Sequence, residues 1–150
     1  MTTYFMDSSA ISKGYVAETG STWITSLIDP TAGHVIVLSQ LAIVEVGSVV
    51  ARKQRLGLIS VVDATQARTN FLLDVKEEYI TVALDEPVLQ RASDLLNKHP
   101  LRSLDAIQLA CAIEARLVLS EPHIFVCSDN NLLAAAVVEG FTTDNPLAHP

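Results

Sequence analysis

The chain has 150 residues, 49% of them hydrophobic and 18% charged, and carries a net charge of −7. That length supports one domain with a sizeable core, and the composition is globular, not disordered. The acidic balance argues against binding nucleic acid through a broad lysine and arginine surface, but not against binding it through metal ions.

No apolar run reaches the roughly 18 residues of a membrane span. MTTYFMDSS has no basic region leading into a long apolar stretch, so we expect no signal peptide, no membrane association and a cytoplasmic protein. Cys111 and Cys127 sit among apolar neighbours in LACAI and IFVCS, outside any C-x-x-C pair, and His34, His99, His123 and His149 are scattered. The cysteines therefore read as buried reduced thiols, not zinc ligands.

In chain order, Tyr4–Met6 reads as a strand and Ser8–Ile11 as the start of a short helix, with a turn at Gly14 or Gly20. STWITSLID has helical apolar spacing at Trp23, Ile24, Leu27 and Ile28 and stops at Asp29–Pro30. HVIVLS, rich in β-branched residues, reads as a second strand, and QLAIVEVGSVVARKQRLG as a long helix closed by Gly57. SVVDATQARTNFLLDVKEEY reads as an amphipathic helix with Val61, Val62, Ala67, Phe71, Leu72 and Val75 inward. ITVAL is a third strand. DEPVLQRASDLLNKHP is a helix capped by Asp85, with Pro87 in its first turn and its end before Pro100. SLDAIQLACAIEARLVL is the next helix, IFVCS a fourth strand, DNNLLAAAVVEG a helix stopped by Gly140, and Phe141–Thr143 a short fifth strand. Continuous apolar strands alternating with helices indicate an α/β fold, a parallel sheet covered on both faces. No repeat, linker or low-complexity tract divides residues 1–150, which read as a single domain.

Four carboxylates stand out. Ligands of open α/β sheets bind at the carboxyl ends of the strands, and Asp7 and Asp129 lie where YFM and IFVCS run out. Either can equally be a helix cap. Glu45 is the only charged residue between Pro30 and Ala51, and its helical neighbours Leu41, Ala42, Ser48 and Val49 make its face largely apolar. A mid-helix carboxylate is not a cap; it is either exposed at the helix rim or compensated by a partner, and a bound cation is an economical one. Asp105 is the only charge between Arg102 and Glu114, in a first helical turn where the dipole also favours an anion. Converging carboxylates would need a hard divalent ion, Mg²⁺ or Mn²⁺, and that chemistry is metal-assisted phosphodiester hydrolysis by an activated water.

FMDSSAI, the VEV of the first long helix, LRSLDAIQLA and IFVCSDNNLLAAAVVEGF together resemble the PIN-domain ribonucleases, in order and spacing, over essentially the whole chain. The nearest likeness is to the VapC-type toxins of toxin–antitoxin pairs. The resemblance implies a PIN-like αβα sandwich with a central parallel sheet of four to five strands. It further implies Mg²⁺- or Mn²⁺-dependent endonucleolytic cleavage of RNA, a homodimer, and inhibition by a cognate antitoxin. Carried over by position, the metal-binding and catalytic residues are Asp7, Glu45, Asp105 and Asp129, with Ser9 at a small polar position near the metal. Two departures stand against the pattern: Cys127 replaces a frequent threonine two residues before the last aspartate, and LVLSEPHIF is longer and more polar than the usual turn. Ser9, Arg52, Lys53, Arg55 and Arg102 are candidates for substrate contacts, the alternative for ARKQR being a solvated helix end.

Other readings compete with a metal-dependent endoribonuclease acting as a type II toxin. An aspartyl-phosphate protein using Asp7 usually carries a second aspartate two residues on, where Ser9 stands, and a lysine after a late strand, whereas none follows Lys98. A non-catalytic module of the same fold would not need all four acidic positions filled. A PIN nuclease outside toxin–antitoxin systems would keep the same site.

Overall fold

The computed structural model describes residues 1–150. Five strands, β1 (Thr3–Met6), β2 (Val35–Ser39), β3 (Ile80–Val82), β4 (His123–Val126) and β5 (Thr142–Asp144), form one sheet in the order β3-β2-β1-β4-β5, with every pairing parallel. Seven α-helices connect them: α1 (Ser8–Ile11), α2 (Ser21–Ile28), α3 (Leu41–Arg55), α4 (Val61–Glu77), α5 (Glu86–Lys98), α6 (Ser103–Leu119) and α7 (Asn130–Val138). The α/β architecture expected from the alternation of elements is the one observed. No helix is long and apolar enough to cross a membrane.

Alternation along the strands divides the core into two layers, because successive side chains leave a strand on opposite faces. Phe5, Val37, Phe125 and Cys127 pack with the buried residues of α5, α6 and α7. Met6, Ile36, Leu38 and Val126 pack with those of α1, α2, α3 and α4. Phe5 and Phe125 stack across β1 and β4 with centroids 5.5 Å apart. On α6 the buried side chains Ala106, Ala110, Ala112 and Ala115 are small, which lets the helix lie close to the sheet. Both cysteines are free and buried, as their apolar settings predict.

Local signals set the element ends. Asp85 caps α5 by accepting from the Val88 amide (3.1 Å), and Pro87 occupies the first turn. Gly57 and Gly140 follow α3 and α7 with φ of 70° and 90°, a left-handed backbone that glycine adopts without cost. Several details of the sequence reading need correction: the third strand stops at Val82, short of ITVAL, and the fourth is His123–Val126, starting before IFVCS and ending before Cys127. The fifth strand is Thr142–Asp144, one residue later than expected. In α4 the buried stripe is Ala64, Ala67 and Phe71, whereas Val61, Val62 and Leu72 are exposed. The helix has apolar residues on two sides, and the side that packs is the one carrying small alanines beside a single large ring.

The strand order positions the site. From central β1 the chain runs outward through β2 to β3, then returns across the sheet to β4 on the other side of β1 and on to β5. The connections thus diverge at the carboxyl ends of β1 and β4, the crevice where open α/β sheets receive ligands.

Candidate metal centre

Asp7 is the first residue after β1. Its backbone amide donates to the Val126 carbonyl (3.1 Å), which fixes it against the end of β4. Its side chain caps α1: Oδ1 accepts from the Ala10 amide (3.0 Å) and from the Ser9 hydroxyl (2.6 Å). The Ser9 Oγ in turn accepts from the Ser128 amide (3.0 Å), so one hydroxyl ties the end of β1 to the loop after β4. Asp7 is only 7% exposed. Burial pushes its carboxyl up to about 7, against the opposing pull of the Ser9 and Ala10 hydrogen bonds, and the negative charges of Glu45 and Asp105 push it further the same way.

Glu45 projects from the middle of α3 and is partly buried. Its Oε1 accepts from the Ser8 hydroxyl (2.7 Å) and from the Gln108 amide nitrogen (2.8 Å), which also donates to Ser8 Oγ (3.0 Å). Two neutral donors therefore hold the carboxylate that the sequence leaves isolated in an apolar helix face. Gln108 is buried one turn beyond Asp105 on α6, and its Oε1 is left without a partner.

Asp105 stands in the first turn of α6, with Oδ2 3.3 Å from Arg102 Nε. Asp129 caps α7, its Oδ1 accepting from the amides of Asn131 (2.8 Å) and Leu132 (3.1 Å). The Arg102 guanidinium spans the two, with Nη2 3.7 Å from Asp129 Oδ2, yet its side chain is 82% exposed. The Cys127 thiol donates to the Asp129 carbonyl (3.3 Å), so the sulfur supplies a donor at a position where a hydroxyl was the expectation. Burial, then the charge of Asp7, raises the proton affinity of this thiol and keeps it protonated.

A common pattern runs through the four carboxylates. Asp7, Glu45 and Asp129 each use one oxygen to accept hydrogen bonds from fixed protein donors. Asp7 Oδ2, Glu45 Oε2 and Asp105 Oδ1 make no protein hydrogen bond, and Asp129 Oδ2 meets only the exposed Arg102. Anchored carboxylates with a second oxygen to spare are the donor set a hard divalent cation takes. As placed, no three His, Cys, Asp or Glu side chains converge on a single ligand point, an arrangement in keeping with like charges whose nearest partners are neutral donors and one arginine.

The remaining expected residues lie to one side. Arg52 and Arg55 are exposed on the last turns of α3, and Lys53 is partly buried with Nζ 3.3 Å from Glu18 Oε1. Sequence reading passed over Ser8 and Gln108. Gln108 is the only polar residue between Asp105 and Glu114 and recurs at helical spacing from Asp105, which is a usable signal; Ser8 offered none beyond its place next to Asp7.

An all-parallel sandwich whose switch point is lined by carboxylates from four separate elements defines an α/β protein with an acidic site. The family model for the PIN domain matches residues 4–136, and the chain belongs to that family. Among solved structures it is similar to PAE2754 from Pyrobaculum aerophilum, with 18% identity and a TM-score of 0.64 over 98% of this chain and 91% of that one. It is also similar to FitAcB from Neisseria gonorrhoeae, with 16% identity and a TM-score of 0.59 over 95% of this chain and 97% of that one. Both likenesses concern the fold. A search among curated proteins finds no match.

Proposed function

We propose that the acidic pocket binds Mg²⁺ or Mn²⁺ and that the protein is an endoribonuclease, the toxin of a type II toxin–antitoxin pair. The observation that carries this reading is the free second oxygen of Asp7 and of Glu45, each anchored through its first, at the switch point of a PIN-family sheet. Asp7, Glu45 and Asp105 would hold the principal ion, with Asp129 supporting it or a second one. When bound, the ion supplies activation of water and neutralisation of charge on the attacking and leaving oxygens of a phosphodiester.

The chain's own residues prepare that chemistry. Ser9 and the Ala10 amide orient Asp7, while Ser8 and Gln108 orient Glu45, so neither carboxylate has to be ordered when the cation arrives. Arg102 balances Asp105 and Asp129 in the ion-free protein and, being exposed, is free to turn towards a phosphate. Arg52, Lys53 and Arg55 would meet the strand from the end of α3. A bound cation also reconciles a net charge of −7 with a polyanionic substrate. The motif resemblance supports a homodimer, a cognate antitoxin and a cytoplasmic site of action.

The test is cleavage of end-labelled single-stranded RNA. Wild type should cut with Mg²⁺ or Mn²⁺ and stop with a chelator. Asp7→Asn should lose at least about a hundredfold in rate, since the ion's contribution is worth several kcal/mol. Equal cutting by the two proteins, or none by wild type with either metal, would contradict the proposal.

A further inference from the structure

A groove of about 560 Å³ is lined in part by Ser9, the residue whose hydroxyl donates to Asp7. Its walls carry Lys13, Glu18, Arg52 and Lys53, with Leu56 and Leu58 as an apolar side. Three of the chain's ten lysines and arginines thus line one groove together with Ser9. Lys13 is unusual among them because its side chain is only 6% exposed, and a buried ammonium is tolerated only with an anion beside it.

Glu18 is that anion, and it is shared. Its Oε2 lies 2.9 Å from Lys13 Nζ and its Oε1 3.3 Å from Lys53 Nζ, one oxygen to each ammonium. Although burial acts in the opposite sense, the two lysines hold its carboxyl below the usual range, so it is ionised at neutral pH. Two ammoniums gripping two oxygens on one centre is also how non-bridging oxygens of a phosphodiester are held. Glu18 is not locked in: its side chain is 28% exposed, and its backbone amide is held separately by the Ser21 hydroxyl (2.8 Å). The carboxylate can leave without the chain moving.

We propose that Lys13 and Lys53 form a phosphate seat for the RNA strand and that Glu18 occupies this seat until the strand displaces it. This rests on the nuclease reading and deepens it. The seat shares its groove with Ser9, whose hydroxyl donates to Asp7, and so would bring the strand's backbone towards that carboxylate. Ammonium contacts to phosphate position a strand and carry no sequence information themselves. Glu18 makes binding self-limiting, because each bound phosphate must outcompete an internal carboxylate.

The experiment measures binding of a fluorescent single-stranded RNA by anisotropy in the non-cutting Asp7→Asn background, with Mg²⁺ present. Glu18→Gln should lower Kd about three- to tenfold, because the seat is vacated. Lys53→Gln should raise Kd about fivefold or more and reduce the slope of log Kd against log salt by about 0.7, one phosphate contact on a single strand. Lys13→Gln should act like Lys53→Gln, but its burial can compromise folding, so Glu18→Gln and Lys53→Gln carry the decision. In the cutting background Lys53→Gln should raise KM and leave kcat nearly unchanged. Unchanged or weaker RNA binding by Glu18→Gln, or its failure to fold, would make Glu18 only the counter-ion of Lys13 and overturn the seat while leaving metal-dependent cutting intact. Lys53-dependent capture of an oligo-glutamate peptide in preference to RNA would assign the groove to a protein partner and equally overturn it. Absence of RNA cutting by wild type with either metal would remove the nuclease reading itself, and the seat with it.

Discussion

Two charged regions meet at Ser9, and they solve the same electrostatic problem in opposite ways. In the groove, Lys13 and Lys53 share the one carboxylate of Glu18 through direct ion pairs, so each charge has an opposite partner. At the carboxyl ends of β1 and β4, Asp7, Glu45, Asp105 and Asp129 come from four separate elements, and their partners are hydroxyls, amides and one exposed arginine. The difference is visible in proton affinity: Glu18 is held below the ordinary carboxyl range, whereas Asp7 is pushed up to about 7. A closed set of charges stabilises the fold by itself. An unpaired carboxylate costs free energy when ionised: for Asp7 burial is the main cause, and the charges of Glu45 and Asp105 add to it.

The comparison predicts its largest effect on stability. Asp7 binds a proton more tightly folded than unfolded, where an aspartate titrates near 3.8. Its ionisation therefore costs nothing extra below pH about 4, and folding stability falls as pH rises from there to about 7. At about 1.4 kcal/mol per pKa unit, Asp7→Asn should stabilise the ion-free protein by roughly 4 kcal/mol at pH 8 and by little at pH 4. Urea denaturation at pH 4.5, 6 and 8 measures this; a pH-independent difference would mean Asp7 is not crowded by like charge and burial.

An intermediate effect is expected at the junction. Ser9→Ala removes the hydroxyl that holds Asp7 Oδ1 and accepts from the Ser128 amide. Groups that orient a metal ligand typically matter by 10–100-fold in affinity or activity, so RNA cutting should fall by about that factor while RNA affinity in the neighbouring groove changes little. A loss in both would mean that Ser9 serves the strand directly.

The smallest effect concerns Arg102. It pairs with Asp105 and Asp129 at 3.3 and 3.7 Å from an exposed position, where ion pairs are worth at most about 1 kcal/mol. Arg102→Met should therefore raise Mn²⁺ affinity up to about fivefold. A lower affinity would make Arg102 part of the support for the cation, not its competitor.

The fold was legible because β1, β2 and β4 are short and mostly apolar, with clear transitions at their ends, whereas β5, Thr142–Asp144, is polar and reads one residue early. YFM ends at Asp7, VIVLS runs into α3, and IFV leads to Asp129, so the alternation and the helix caps could be read directly. The stripe of α4 could not, because Val61, Val62 and Leu72 are as apolar as the Ala64, Ala67 and Phe71 that pack, and only tertiary contact with the core distinguishes them. In the site, Glu45 was conspicuous as a lone charge in an apolar helix face. Its actual partners, Ser8 and Gln108, are neutral and lie on other elements, so no spacing within α3 points to them. The Lys13–Glu18–Lys53 cluster was hidden for a related reason: ISKGYVAETG reads as a helix and a turn, and its charges acquire meaning only when α3 brings Lys53 alongside.

The most direct measurement is calorimetric titration of Mn²⁺ into wild type and into Asp7→Asn, Glu45→Gln and Asp105→Asn at pH 7. The spare oxygens of these three side chains should bind the ion in wild type, with proton release from Asp7, and each substitution should weaken binding at least tenfold. Mn²⁺ affinity that is the same in all four proteins would contradict the account.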